Sequence, residues 1–219
     1  MTRLPFRLVA TFCLALLSCN RVVADPARIG KTITQLFGPS VDSVTTSWVG
    51  LIGQQGSANA TEITRHLGAV NDFFNTRIQQ EEDSQIWGTD DYWATLGELF
   101  SKGAGDSEDF VIAKYLSLRE IGVPDRQLRL IFVKKAFRGA PSRPHMVLGY
   151  YPTQGGPPLI LDNIDRAVKP ASERNDLTPV SSFNAEGMWL GADVSAKSPG
   201  TGLSKWQALL ERARREGFN

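Results

Sequence analysis

Between Phe110 and Ile121 apolar side chains fill too many positions for one helical face to hold them: Phe110, Val111, Ile112, Ala113, Tyr115, Leu116, Leu118 and Ile121. A helix that is apolar around most of its girth has to be enclosed on every side. The stretch from about Ser107 to Ile121 is therefore expected to be a buried central helix around which the rest of the chain packs. Gly103 and Gly105 break the chain ahead of it, and Gly122 and Pro124 stop it.

The segments on either side differ in period. Ahead of the central helix, Ile63, Leu67, Val70 and Phe74 recur at helical spacing, which predicts an amphipathic helix over residues 61–79, and a second helix is expected over 91–102. Behind it come strand-like runs at 128–133, 145–151 and 159–161, the last after the turn Gly155-Gly-Pro-Pro158. Leu203, Trp206, Leu209, Leu210 and Ala213 predict a closing amphipathic helix. Helices followed by consecutive strands imply an α+β domain, with N-terminal helices packed on a mostly antiparallel sheet.

Arg3 and Arg7 precede the apolar run Leu8 to Leu17, and Val22-Val-Ala24 offers small residues for cleavage, so residues 1–24 read as an export signal and 25–219 as a single domain. The apolar run is short for a permanent membrane anchor. A rival reading makes Leu16-Leu-Ser-Cys19 a lipoprotein box, although leucine directly before the serine fits that pattern poorly. Cys13 and Cys19 are the chain's two cysteines, so a cleaved protein has neither a disulfide nor a thiolate metal site. With 24 basic and 23 acidic residues, the balance does not suggest nucleic-acid binding. The short basic clusters Lys134-Lys135 and Arg212 to Arg215 read as solvated faces or helix ends.

Ser107 opens the central helix, His145 opens the run His145-Met-Val-Leu-Gly-Tyr-Tyr151, and Asp162 closes Pro158-Leu-Ile-Leu-Asp162. This is a nucleophile, base and orienter in the chain order of papain-like and transglutaminase-like hydrolases. A nucleophile in a first helical turn gains from free N–H groups and the positive end of the dipole. His145 would take its proton, and Asp162 would fix the imidazole tautomer. His66, with no motif around it, is given no catalytic role. Asp106, Glu108 and Asp109 surround the nucleophile; they suit helix capping, and equally a hard cation such as calcium, which takes several oxygen ligands. Trp93 either lines a groove or packs in the core.

The motifs Asp91-Tyr-Trp-Ala-Thr95, Gly103-Ala-Gly-Asp-Ser-Glu-Asp-Phe-Val-Ile-Ala-Lys-Tyr115, His145-Met-Val-Leu148, Leu161-Asp-Asn163 and Ser182-Phe-Asn-Ala-Glu-Gly187 resemble the bacterial transglutaminase-like cysteine proteinases of the LapG type, over roughly residues 28 to 192. The resemblance implies a papain-like/transglutaminase-like fold, a catalytic cysteine at the position of Ser107, and His145 and Asp162 as its partners. It also implies calcium dependence through Asp106 and Glu108, with Asp109 a further ligand. In such a protein the substrate is a LapA-type biofilm adhesin, cut in the periplasm, and the regulator is the periplasmic domain of a LapD-type cyclic-di-GMP receptor. Asn184 and Glu186 match the family pattern with no chemical role evident. The departure lies in one atom: serine replaces the thiol, so the low-pKa thiolate–imidazolium pair of a cysteine site cannot form. A pseudoprotease that binds receptor or adhesin without cutting is the alternative expectation.

Overall fold

A computed structural model describes residues 25–53, 60–153, 155–191 and 204–218; the expected export signal lies outside them. In chain order the helices are α1 (Pro26–Phe37), α2 (Asp42–Ile52), α3 (Ala60–Arg77), the single turn α4 (Asp83–Ile86), α5 (Leu96–Lys102), α6 (Ser107–Ile121) and α7 (Ser204–Glu216). The strands are β1 (Gln79–Gln80), β2 (Ala104–Gly105), β3 (Leu128–Phe137), β4 (Ala140–Tyr150), β5 (Leu159–Leu161), β6 (Lys169–Pro170), β7 (Leu177–Phe183) and β8 (Met188–Leu190). The helix-then-strand order is as the period of the sequence predicts, and α6 is buried along most of its length.

Strands β3 to β8 form a six-stranded sheet in the order β6-β5-β4-β3-β7-β8, with every neighbouring pair antiparallel. Side chains alternate across it. Leu128, Leu130, Met146, Leu148, Leu161 and Phe183 face the helices and join the main core. Ile131, Val133, Val147 and Ile160 form a smaller cluster of their own. On the helical side α6 packs against α3 and β4, with α2 and α5 beside it and α1 packed on α2 and α5. Trp48 of α2 is fully buried against α6, where its indole N–H donates to Ser117 Oγ at 2.8 Å. Truncating it to alanine would cost about 3–5 kcal/mol through the cavity left behind.

Several boundaries differ from those read in the sequence. The helix expected over 91–102 starts only at Leu96, because Thr95, with an extended backbone, caps it in a reciprocal box with Glu98 and leaves residues 91–94 outside the helix. His145 does not open its strand: β4 begins at Ala140 and pairs with β3 through a short hairpin, leaving His145 opposite Val133. Lys135 is not solvated but 5% exposed, because Asp176 and Asp162 neutralise it from inside. The helices α1 and α2 and the strands β6 to β8 lie outside the expected elements, although α1 is marked by the Asp25 cap, Pro26 and the spacing of Ile29, Ile33 and Phe37. Among the described residues no helix is long and apolar enough to cross a membrane.

Candidate active site

The loop before α6 is fixed from several directions. β1 and β2 pair in parallel, with Gln79 N–H donating to Gly103 and Glu81 N–H to Gly105. Gly105 must be glycine on grounds of space, since a Cβ there would lie 2.7 Å from Leu99 Cδ1 and 2.9 Å from Asp109. Asp106 then caps α6, its Oδ1 accepting from the amides of Glu108 at 3.0 Å and Asp109 at 3.3 Å. Ser107 therefore sits in the first turn. Its Oγ donates to Glu108 Oε2 at 2.7 Å and accepts from the Met146 amide at 3.2 Å.

Met146 adjoins His145, so β4 brings His145 alongside Ser107. His145 is 6% exposed, and its Nε2 lies 2.8 Å from Asp162 Oδ1. No hydrogen bond joins the Ser107 hydroxyl to the imidazole. Asp162 follows β5 and is wholly buried. Its Oδ1 also accepts from Ile164 N–H at 2.9 Å, its Oδ2 accepts from Arg174 Nη2 at 2.7 Å, and its backbone carbonyl accepts from Asn75 Nδ2 at 2.8 Å. Burial alone would raise the Asp162 carboxyl, but His145, the Ile164 amide and Arg174 outweigh it and hold the group well below the usual carboxylate range. Arg174 is shared with Asp176, whose carboxyl Arg174 first and Lys135 second hold well below the usual range.

A second group of acids lies beside the nucleophile. Single carboxylate oxygens of Asp83, Asp106 and Asp109 all lie within 4.8 Å of one another. Asp83 Oδ2 accepts from Tyr92 N–H at 2.5 Å and Asp109 Oδ1 from Ala94 N–H at 2.7 Å; the other oxygen of each is buried without a hydrogen-bond partner. Burial first, then repulsion among the acids, pushes Asp106 up to about 9; burial likewise pushes Asp109 up to about 7, and Asp83 also rises. Clustered carboxylates with free inward oxygens are the donor set a hard cation takes.

The structure brings some of the residues singled out in the sequence together and places others apart. His145 and Asp162 are directly bonded, and Ser107 is tied to them through the Met146 amide. Asp106 is a cap as well as a member of the acidic group. Glu108 turns to Ser107, and Asp83, the last residue of the acidic run Glu81-Glu-Asp83 that follows α3, stands in the acidic group instead. Asn75 and Arg174 were not legible as site residues, although polar Asn71 and Asn75 interrupt the apolar face of α3 at i, i+4 spacing. Trp93 is a core residue, 7% exposed and stacked on Phe183, and is not available as an exposed anchor. Asn184 acquires a role in the turn between β7 and β8: its Nδ2 donates to the carbonyls of Asp125 and Leu128 while Oδ1 accepts from the Glu186 and Gly187 amides. His66 is buried in α3, away from this chemistry.

Comparison with known proteins gives a consistent pattern. Residues 52–190 match the family described as bacterial transglutaminase-like cysteine proteinase, BTLCP. The chain is similar to the solved structure of LapG from Legionella pneumophila, with 38% identity over 86% of this chain and 97% of that one, at a TM-score of 0.72. The EGTA-treated form of that protein gives 37% identity over 86% and 97%, at 0.75, and the calcium-bound form 37% over 86% and 98%, at 0.72. No curated protein sequence matches.

Proposed function

The chain belongs to the bacterial transglutaminase-like cysteine proteinases, and from that premise we propose that it is built as a periplasmic, calcium-dependent endopeptidase of the LapG type, with serine in the nucleophile position. The observation that carries this reading is the buried His145–Asp162 pair set against the first turn of α6. With Nε2–H donated to Asp162, Nδ1 of His145 is the basic nitrogen. It takes the proton as residue 107 attacks a peptide carbonyl carbon, and returns it to the departing amine as the acyl-enzyme forms. Water then attacks the acyl group, and residue 107 is released with its proton. The positive end of α6 favours the anion that develops on the nucleophile.

Asp83, Asp106 and Asp109 would hold calcium, whose charge cancels repulsion that otherwise opposes an anion at residue 107. The calcium-bound LapG relative supports this reading. The substrate we propose is the N-terminal region of a LapA-type adhesin, and the regulatory partner a LapD-type periplasmic domain.

A specific observation favours a second reading. The Ser107 hydroxyl is spent on Glu108 rather than on His145, as expected of a protein that binds adhesin or receptor without cutting. Cleavage of an adhesin N-terminal fragment, with calcium present, by the protein as it stands and by Ser107→Cys separates the two. Activity that appears with the thiol and vanishes on adding His145→Ala supports the protease architecture. Cleavage by the serine form, lost in Ser107→Ala, would establish a working serine nucleophile. Failure of both forms to cut leaves binding as the function.

A further inference from the structure

The smaller apolar cluster on the sheet has no part in the chemistry described so far. Ile131, Val133, Val147 and Ile160 alternate along their strands with the residues that meet the helices, and so face the other way. Together they line a cavity of about 350 Å³. That is the size of a small-molecule site, which is typically apolar with a few polar groups. The turn Gly155-Gly-Pro-Pro158 and Pro179 also line it, with short or ring-closed side chains that cannot fold across and fill it. None of Ser107, His145 and Asp162 lines the cavity, although Val133 on its floor stands opposite His145 in the ladder.

Two cations line this space and, among the described residues, no acid does. Their situations differ. Arg174 is already matched by Asp162 and Asp176. Arg129 is 6% exposed and lies against two rings, its Cζ 3.8 Å from the Trp189 centroid and 4.5 Å from that of Tyr151, which also hydrogen-bonds it. A guanidinium stacked on rings keeps its donors in its own plane, a fork that suits a carboxylate. From Arg129 to Val133 the strand advances about 13 Å, so a chain that runs along β3 from an anion at Arg129 passes over Ile131 and Val133.

We propose that this cavity binds a medium-chain fatty carboxylate, its head group taken by Arg129 and its hydrocarbon laid over Ile131, Val133 and Val147. The charge of the lining selects an anion, the floor selects an apolar body, and the volume limits the ligand to a small molecule.

Calorimetric titration of the protein as it stands, with sodium octanoate and with 1-octanol, tests this. Octanoate should bind at least about tenfold more tightly than the alcohol, which carries the same carbon chain without the charge. Arg129→Met keeps an apolar stem and should erase that preference. Ala171→Trp, which puts an indole into the cavity from its half-buried rim, should abolish binding of both. Parent protein that binds no octanoate, or binds octanol equally well, overturns the proposal whether or not either variant folds. An undiminished preference in folded Arg129→Met also overturns it, as does octanoate binding that survives in folded Ala171→Trp. None of these measurements involves cleavage, so failure of Ser107→Cys to cut an adhesin fragment would end the protease reading and leave them unchanged.

Discussion

Arg174 shows how much of this site depends on single residues that carry no sequence signal. Its guanidinium is 2% exposed and spans Asp162 and Asp176, so Arg174→Met would leave Asp162 buried with one of its hydrogen-bonded cations gone. Breaking such a pair typically costs about 3–5 kcal/mol, and a urea titration should read that loss near neutral pH. The Asp162 carboxyl is held below its ordinary range in the fold. Its contribution to stability is therefore complete above the unfolded carboxylate range and is lost as pH falls through the folded value. The difference between Arg174→Met and the parent should shrink in strong acid, and a constant difference at every pH would mean that packing, not charge, was lost. Ser107, His145 and Asp162 were legible because each lies at a recognisable place, a helix start or a strand. Arg174 lies just after a 3₁₀ turn in a segment without hydrophobic period, so only the folded chain brings it to Asp162.

At the scale of elements, α6 could be read from composition and α7 from its period, but not what α7 is for. It lies across residues 91–97: Arg212 donates to the Trp93 carbonyl, and Glu216 hydrogen-bonds with the Thr95 hydroxyl and accepts from Gly97 N–H at 3.1 Å. Burial first, with help from Glu98, pushes Glu216 up to about 7 from an ordinary 4.5. The folded state thus holds this proton more tightly than the unfolded chain does. Stability falls as pH rises from 4.5, and the penalty is complete above about 7. Glu216→Gln keeps one donor and one acceptor in place. It should gain on the order of 2 kcal/mol at pH 8 and nothing at pH 4, as measured by denaturant unfolding at both. Equal gains at the two pH values would show that ionisation of Glu216 is not the cause. α1 and α2 escaped the sequence reading although α1 carries a signal of its own, Ile29, Ile33 and Phe37 at helical spacing behind the Asp25 cap and Pro26, while in α2 Val44, Trp48, Val49, Leu51 and Ile52 are spread around the helix and make a weaker stripe.

For the whole molecule the acidic group has a consequence that a local view misses, because Asp83, Asp106 and Asp109 are joined to different parts of the fold. A ligand that binds only the folded form at about one hundred times its dissociation constant adds roughly 2.7 kcal/mol. Calcium should therefore raise the melting temperature of the entire domain, and a chelator should reverse the effect. Asp83→Asn with Asp109→Asn should abolish the calcium response while making the metal-free protein more stable than the parent, since mutual repulsion is relieved. A calcium-induced rise that survives in the double variant would put the ion elsewhere. The α+β class was legible from the switch of period after Ile121, whereas the strand order was not, because β7 reaches β3 across the chain rather than through a tight turn. The crossing of α7 over residues 91–97 also bears on timing. Ala94 N–H holds Asp109, and Trp93, Thr95 and Gly97 are held by α7, so the loop before α6 cannot be finished while the last helix is still being synthesised. A chain caught partway already holds Ser107, His145 and Asp162 and still lacks the scaffold that orders the loop ahead of α6, so the site is completed only when the C-terminal helix is in place.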